Sequence, residues 1–217
     1  MLADVKFPLT NDELAPLLDA DGFYRFGASP DEYWQLLEEA TYKADYYDHQ
    51  IITTMSYESD IHSELAAELG FILKSIFRGN RLFKIYNSNR PVYIPDCTGL
   101  GTGVFIADGM VISLPAERYE YRPGVSAETT PTLLIEILSN STRSYDFGTK
   151  LPCYKQIPPV QQILFVEQHK PEVIVFERQA PNRWTDTTLR NADDMFAIAG
   201  QDVSLRQVYQ DVFFGDE

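Results

Sequence analysis

Apolar and polar positions alternate along the chain in patterns that divide it into elements. Between residues 59 and 77, Ile61, Leu65, Leu69, Ile72, Leu73 and Ile76 recur at spacings of three and four, which gives a helix with one apolar stripe. Asp60 and Glu64 fall in its first turn, where the helix dipole favours negative charge, and Gly79 with Asn80 ends it. An earlier helix is announced by Ser29, Pro30 and Glu32 as N-cap, first-turn proline and capping-box partner. Its Leu36 and Leu37 face inward, and it fades near Ala40. Loose alternation rich in Ile and Thr predicts a strand over 46–55. Further strands are expected over 82–87, 92–94 and 104–114, separated by Asn, Pro and Gly clusters.

The stretch 132–138, TLLIEIL, is apolar on both faces, as in a strand buried in the middle of a sheet. Residues 140–156 read as a loop entering a helix, in which Pro152 must lie in the first turn or kink it. Residues 162–167 and 172–178 flank a turn at His169, Lys170 and Pro171 and form a hairpin. A strand over 184–189 and a closing helix over 204–212 complete the chain. This order predicts a mixed α/β (α+β) domain around a single sheet.

Composition adds bounds. At 217 residues the chain is sized for one well-buried domain. It has 44% hydrophobic and 23% charged residues, and no stretch approaches the ~20 apolar residues of a membrane span. No basic region followed by an apolar run opens the chain, and Cys97 and Cys153 are too few for a disulfide framework. A cytoplasmic protein is the simplest expectation. The net charge of −14 opposes a tight nonspecific grip on nucleic acid, which rests on Lys and Arg replacing counterions. That charge is uneven: residues 1–70 hold 15 acidic and 3 basic side chains, the other 147 residues 17 and 15. The acidity belongs to the N-terminal third, and the remainder can still present a locally basic cleft.

The chemical signal is a charge inside an apolar strand. An ionised carboxylate is almost never buried unless paired or bound to metal, so Glu136 needs a compensating partner; a structural pair with an Arg or Lys, or a strand less buried than its pattern suggests, is an equal reading. Asp108 lies in similar surroundings, in VFIADGMVIS, although an Ala-Asp-Gly turn between two short strands is an equal reading of that stretch. Two carboxylates brought together repel, and a hard divalent cation removes the repulsion by using their oxygens as ligands. Asp146, Lys150 and Tyr154 recur every four residues, on one side of a helix.

The run LLIEILSNSTRSYDFGTKLPCY resembles the signature of the Uma2 (DUF820) family, part of the PD-(D/E)XK restriction-endonuclease-like superfamily. Glu136, Ser139, Ser141, Thr142, Arg143, Asp146, Lys150 and Tyr154 match it. VFIADGMVISLP resembles the family's Pro-Asp strand, YYDHQIITTMSYESDIHSELAAEL its first strand and helix with His62, and ILFVEQHKPEVIVFER its terminal hairpin. The resemblance covers roughly residues 40–200. It implies a restriction-endonuclease-like mixed central β-sheet flanked by helices, with 1–40 an acidic N-terminal extension carrying one helix and 41–217 the nuclease-like domain. It also implies an endonuclease acting on DNA, self-association as a homodimer, and a Mg²⁺ or Mn²⁺ ion held by Asp108, Glu136 and the carbonyl of Ile137. Lys150 would orient the attacking water and help deprotonate it.

The chain departs from the family pattern in three places. Ala107 replaces the proline before the metal-binding aspartate, and a literal Pro-Asp occurs instead at Pro95 and Asp96, which keeps Asp96 as a rival ligand. Asn140 replaces the turn proline, and Pro152 enters the helix. These departures and the acidic N-terminal third leave a second reading open: a non-catalytic protein of the same fold serving as an interaction or regulatory subunit. Glu58, Glu64 and Glu68 are candidate outer carboxylates, although helix glutamates are usually solvated. His62 is read as a packed or capping residue. The three histidines and two cysteines show no zinc-type spacing.

Overall fold

A computed structural model describes residues 7–54, 59–87 and 90–214 of the chain. At its centre runs the strand Pro131–Leu138, buried along almost its whole length. It belongs to a six-stranded sheet ordered Arg183–Leu189, Val173–Ala180, Gln162–Glu167, Pro131–Leu138, Gly109–Ser113, Phe83–Asn87. Within this sheet only the pairing of Pro131–Leu138 with Gln162–Glu167 is parallel. A parallel neighbour demands a crossover, and the intervening chain supplies one that lays a helix, 143–154, over one face.

The strand is apolar on both sides because both faces are covered. Leu133, Ile135 and Ile137 pack against Leu65, Leu69, Ile72 and Leu73 of the helix Asp60–Ile76. At roughly 1.5–3 kcal/mol per fully buried aliphatic side chain, those four helix residues contribute on the order of 6–12 kcal/mol. Leu134 and Leu138 face the other way, toward Leu151, Tyr154 and Phe165. Glu136 shares that second face.

A second sheet of seven strands runs in the order Phe23–Gly27, Gln50–Thr54, Asp45–Tyr47, Gly103–Ile106, Pro91–Ile94, Val125–Glu128, Arg118–Arg122. Tyr33, Trp34 and Leu36 of the helix Pro30–Glu39 join Tyr46, Ile51, Val104 and Ala127 in its own core. Ser29 makes the expected capping box with Glu32. Val92, Ile94 and Phe105 share a core with Tyr154 and Leu134, which joins the two sheets. A hairpin of Met195–Ile198 and Gln201–Ser204 adds Phe196, Ile198 and Val203 beside the long helix.

The expected single sheet is therefore two large sheets and a hairpin. The stretch 104–114 is two strands: Gly103–Ile106 pairs in one sheet and Gly109–Ser113 in the other, with Ala107 and Asp108 at the crossing point. The stretch 46–55 also breaks, because Asp48 and His49 take φ of 49° and 58°. Asp and His tolerate that left-handed region better than most residues, and a hairpin results. The closing helix shrinks to Leu205–Val208, capped by Ser204.

The helix 143–154 carries an irregular turn. Arg143–Tyr145 and Leu151–Tyr154 are α-helical, but Asp146–Lys150 forms a π turn in which the Leu151 N–H reaches back to the Asp146 carbonyl. Pro152 has no N–H and its ring crowds the carbonyl four residues back. The wider turn accommodates it without ending the helix. Cys153, on the same helix, is disulfide-bonded to Cys97, their Cα atoms 5.0 Å apart. Two cysteines make no framework, yet this one bridge ties the loop after Pro91–Ile94 to the helix. Among the described residues no helix is long and apolar enough to cross a membrane.

Candidate active site

The two sheets and the helices flank a cleft of about 390 Å³ whose walls include Asp45, His62, Asp108, Glu136, Asp146 and Lys150. They arrive on five separate segments, Asp146 and Lys150 together on the helix 143–154. Gly109–Ser113 ends its pairing opposite Ile135, so Ile137 lies beyond the edge of that neighbour. Its N–H donates instead to Asp108 Oδ2 at 2.8 Å. N–H and C=O of one strand residue point to the same side, so the Ile137 carbonyl is directed to the Asp108 side as well. His62 Nε2 stands 3.4 Å from the same carboxylate oxygen. His62 is placed there by its helix, whose first turn is capped when Ser59 accepts the His62 backbone N–H at 3.1 Å.

Glu136 is 2% exposed. Its Oε1 accepts the Tyr154 hydroxyl at 2.6 Å and its Oε2 accepts Lys150 Nζ at 3.2 Å. Lys150 also lies 3.4 Å from Asp146 Oδ1 and 3.8 Å from Asp45 Oδ2. The spacing of four thus brings Asp146, Lys150 and Tyr154 together despite the π turn. Asp45 was not singled out by the sequence. Its carboxylate accepts the Ile106 N–H at 2.8 Å and the Tyr145 hydroxyl at 3.1 Å. Ser139, Ser141 and Thr142 share hydroxyl hydrogen bonds of 2.9–3.0 Å at the turn that leads from the strand to the helix.

The electrostatics follow from one lysine set among several acids. Burial pushes the Glu136 carboxyl well above the usual range, and Asp108 and Asp146 add to the push, with Lys150 opposing. Burial likewise raises Asp45 and Asp146. Burial raises Asp108 too, but His62, Lys150 and the Ile137 N–H outweigh it and hold this carboxyl below its ordinary value. Burial lowers Lys150, yet Glu136, Asp45, Asp146 and Asp108 more than offset it, so its amine is held well above the ordinary lysine value and stays an ammonium.

Of the expected residues, Asp108, Glu136, Ile137 and Lys150 all line the one cleft. Asp96 does not: it is exposed and caps the Gly101 N–H at 3.2 Å. Glu64 and Glu68 do not line the cleft, and Glu58 lies outside the described residues. His62, expected to be a packed or capping side chain, faces Asp108. The donor set suits a hard divalent cation. Four carboxyl groups crowd around Lys150, and carboxylate and carbonyl oxygens are the ligands that Mg²⁺ and Mn²⁺ prefer. Among the described residues no group of three or more His, Cys, Asp or Glu side chains is arranged as a ready metal cage, which is consistent with two carboxylates completed by a backbone carbonyl.

The fold is shared with a solved structure from Anabaena variabilis described as "a putative nuclease belonging to DUF820", with a TM-score of 0.58 at 16% identity over 94% of this chain and 98% of that one. The architecture is thus of the restriction-endonuclease-like class, a mixed central sheet with helices on its faces. The family model Uma2, described as "Putative restriction endonuclease", matches residues 30–203, and the chain belongs to that family. Similar proteins include two from Synechocystis sp. One, the uncharacterized protein sll1609, is 28% identical over 77% of this chain and 91% of its own length. The other, slr1290, is 28% identical over 72% and 77%.

Proposed function

We propose that the chain is a divalent-metal-dependent endonuclease hydrolysing DNA phosphodiester bonds, with Asp108, Glu136 and Lys150 as its catalytic set. The observation that carries this reading is the meeting of these three side chains in one cleft from three separate elements. Asp108, Glu136 and the Ile137 carbonyl would hold Mg²⁺ or Mn²⁺, which when bound supplies Lewis-acid polarisation of the scissile phosphate and a lowered pKa for water. Lys150, fixed as an ammonium, orients the attacking water and meets the negative charge that grows on the phosphate oxygens. The water oxygen bonds to phosphorus as one ester P–O bond breaks, and the water's proton finally resides on the leaving oxygen.

The test is incubation of purified protein with plasmid and single-stranded DNA in Mg²⁺ or Mn²⁺, alongside Glu136→Ala and Lys150→Ala. Metal-dependent cutting that both substitutions abolish is expected. Cutting retained in both places the activity elsewhere. The acidic N-terminal third and the departures at Ala107, Asn140 and Pro152 favour one second reading, a catalytically silent nuclease fold that binds a partner. No cutting together with no measurable Mn²⁺ binding would establish that reading instead.

A further inference from the structure

The chain's charge is not only acid-heavy at one end; it contains an acid-free basic run. No Asp or Glu occurs between Leu69 and Pro95, whereas Lys74, Arg78, Arg81, Lys84 and Arg90 do, in a protein of net charge −14. Arg90 is taken up by the buried Glu128, with Arg118 on the same carboxylate. The other four are exposed, and among the described residues no carboxylate forms an ion pair with any of them.

The fold gathers them on one surface. Lys74 is in the last turn of the helix Asp60–Ile76, Arg78 and Arg81 are in the turn that follows, and Lys84 is on the edge strand Phe83–Asn87. Lys74, Arg78 and Lys84 rim a groove of about 510 Å³, with Phe71 and Tyr86 also in its wall. Phe71 is 69% and Leu82 63% exposed. Solvated cations around exposed apolar side chains match a sugar-phosphate backbone, whose phosphates take the charges and whose deoxyribose rings take the apolar contact.

The position relative to the cleft also fits. His62 lies at the cleft and Lys74 twelve residues on along the same helix, about 18 Å at 1.5 Å per residue. That is the axial length of about five base pairs of duplex at 3.4 Å each. A second copy of the chain is a poor occupant, because a two-fold contact on this face would set eight like charges against each other.

We infer that the surface formed by Lys74, Arg78, Arg81 and Lys84 is a docking track for the duplex DNA backbone flanking the cut site. The inference rests on the nuclease reading and extends it: the cleft acts on one phosphodiester, and this remote surface holds the duplex several base pairs away. It also gives an acidic protein a local basic surface for a polyanionic substrate.

Anisotropy of a labelled duplex of about two helical turns, titrated with the full chain in EDTA over a range of salt concentrations, tests this. The combined variant Lys74→Gln, Arg78→Gln, Arg81→Gln, Lys84→Gln is compared with wild type and with Arg183→Gln, an exposed arginine on the opposite edge strand. Each phosphate contact contributes about 0.9 to the slope of log affinity against log salt, so the fourfold variant is expected to flatten it by up to about 3.6, with at least about tenfold weaker binding at low salt. Arg183→Gln is expected to leave the slope unchanged. All four side chains are exposed, so the melting temperature should not move, which separates lost docking from lost folding. An unchanged slope with duplex binding intact overturns the inference alone, and cutting by wild type would keep the nuclease reading. Wild type that cuts but does not bind the duplex measurably in EDTA also overturns it. A change in solution mass in the fourfold variant overturns it too, by assigning the surface to contacts between copies.

Discussion

Replacing Lys150 with methionine tests the charge balance of the cleft directly. The ammonium lies 3.2, 3.4 and 3.8 Å from Glu136, Asp146 and Asp45, and methionine keeps most of its length and none of its charge. Removing one member of a buried ion pair costs about 3–5 kcal/mol, because its partner is left buried and uncompensated. For a chain of this length each kcal/mol moves the midpoint by roughly 2–4 °C, so Lys150→Met should melt on the order of 6–20 °C below wild type in chelator. Glu136→Gln should cost less, since the lysine retains Asp146 and Asp45. The sign with pH follows from the acids. Their pKa values are raised in the folded state, so their charged forms destabilise the fold as pH rises through those values. The penalty for losing Lys150 is therefore largest at neutral pH and shrinks as pH falls and the carboxyls take protons. Mn²⁺ should restore part of the loss, about 2.7 kcal/mol when its concentration is a hundred times its Kd. Thermal unfolding of both variants, at two pH values and with and without Mn²⁺, gives the comparison. Lys150→Met as stable as wild type in chelator, or less perturbed than Glu136→Gln, would refute the picture of one lysine holding several buried acids.

Three further outcomes are expected. Mn²⁺ affinity should rise with pH across the acid range, because the raised Glu136 carboxyl must lose a proton to become a ligand, and calorimetry in buffers of different ionisation enthalpy should detect that proton's release. Reduction of the disulfide between Cys97 and Cys153, separated by 56 residues, should lower stability by at most about 4 kcal/mol, read as a shift of the urea midpoint with and without reductant. Arg178→Met should cost about 1–3 kcal/mol by chemical unfolding, because its guanidinium donates to the part-buried carbonyls of Lys155, Ile157 and Val160 and to the exposed carbonyl of Pro181, and the first and third of these would lose that donor.

Much of the candidate site was legible in the sequence because desolvation leaves a mark there. TLLIEIL announces a strand covered on both faces, and Glu136 within it announces a charge in need of company. The four-residue spacing put Asp146, Lys150 and Tyr154 on one side of a helix, and the family resemblance rather than the spacing brought Lys150 to the site; that Lys150 and Tyr154 are the partners of Glu136 is read from the structure. Asp45 left no such mark. No apolar run surrounds it, and the hydroxyl that meets its carboxylate belongs to Tyr145, a hundred residues away. The second sheet was hidden for related reasons. Arg118–Arg122 and Val125–Glu128 carry few apolar side chains, and their pairing turns at Gly124, with φ of 87°. The break in 104–114 was equally silent, since both halves are strongly apolar and differ only in which sheet receives them.

That break has a mechanical meaning. Asp108 sits where the backbone leaves one sheet for the other, pinned by the Ile137 amide of the opposite strand, while Glu136 belongs wholly to one sheet. The registry between the two acids is accordingly a property of the joint, and a small slide of one slab against the other would change it without any side chain turning over. Core substitutions between the slabs, at Phe105 or Ile94, can thus detune the cleft from a distance.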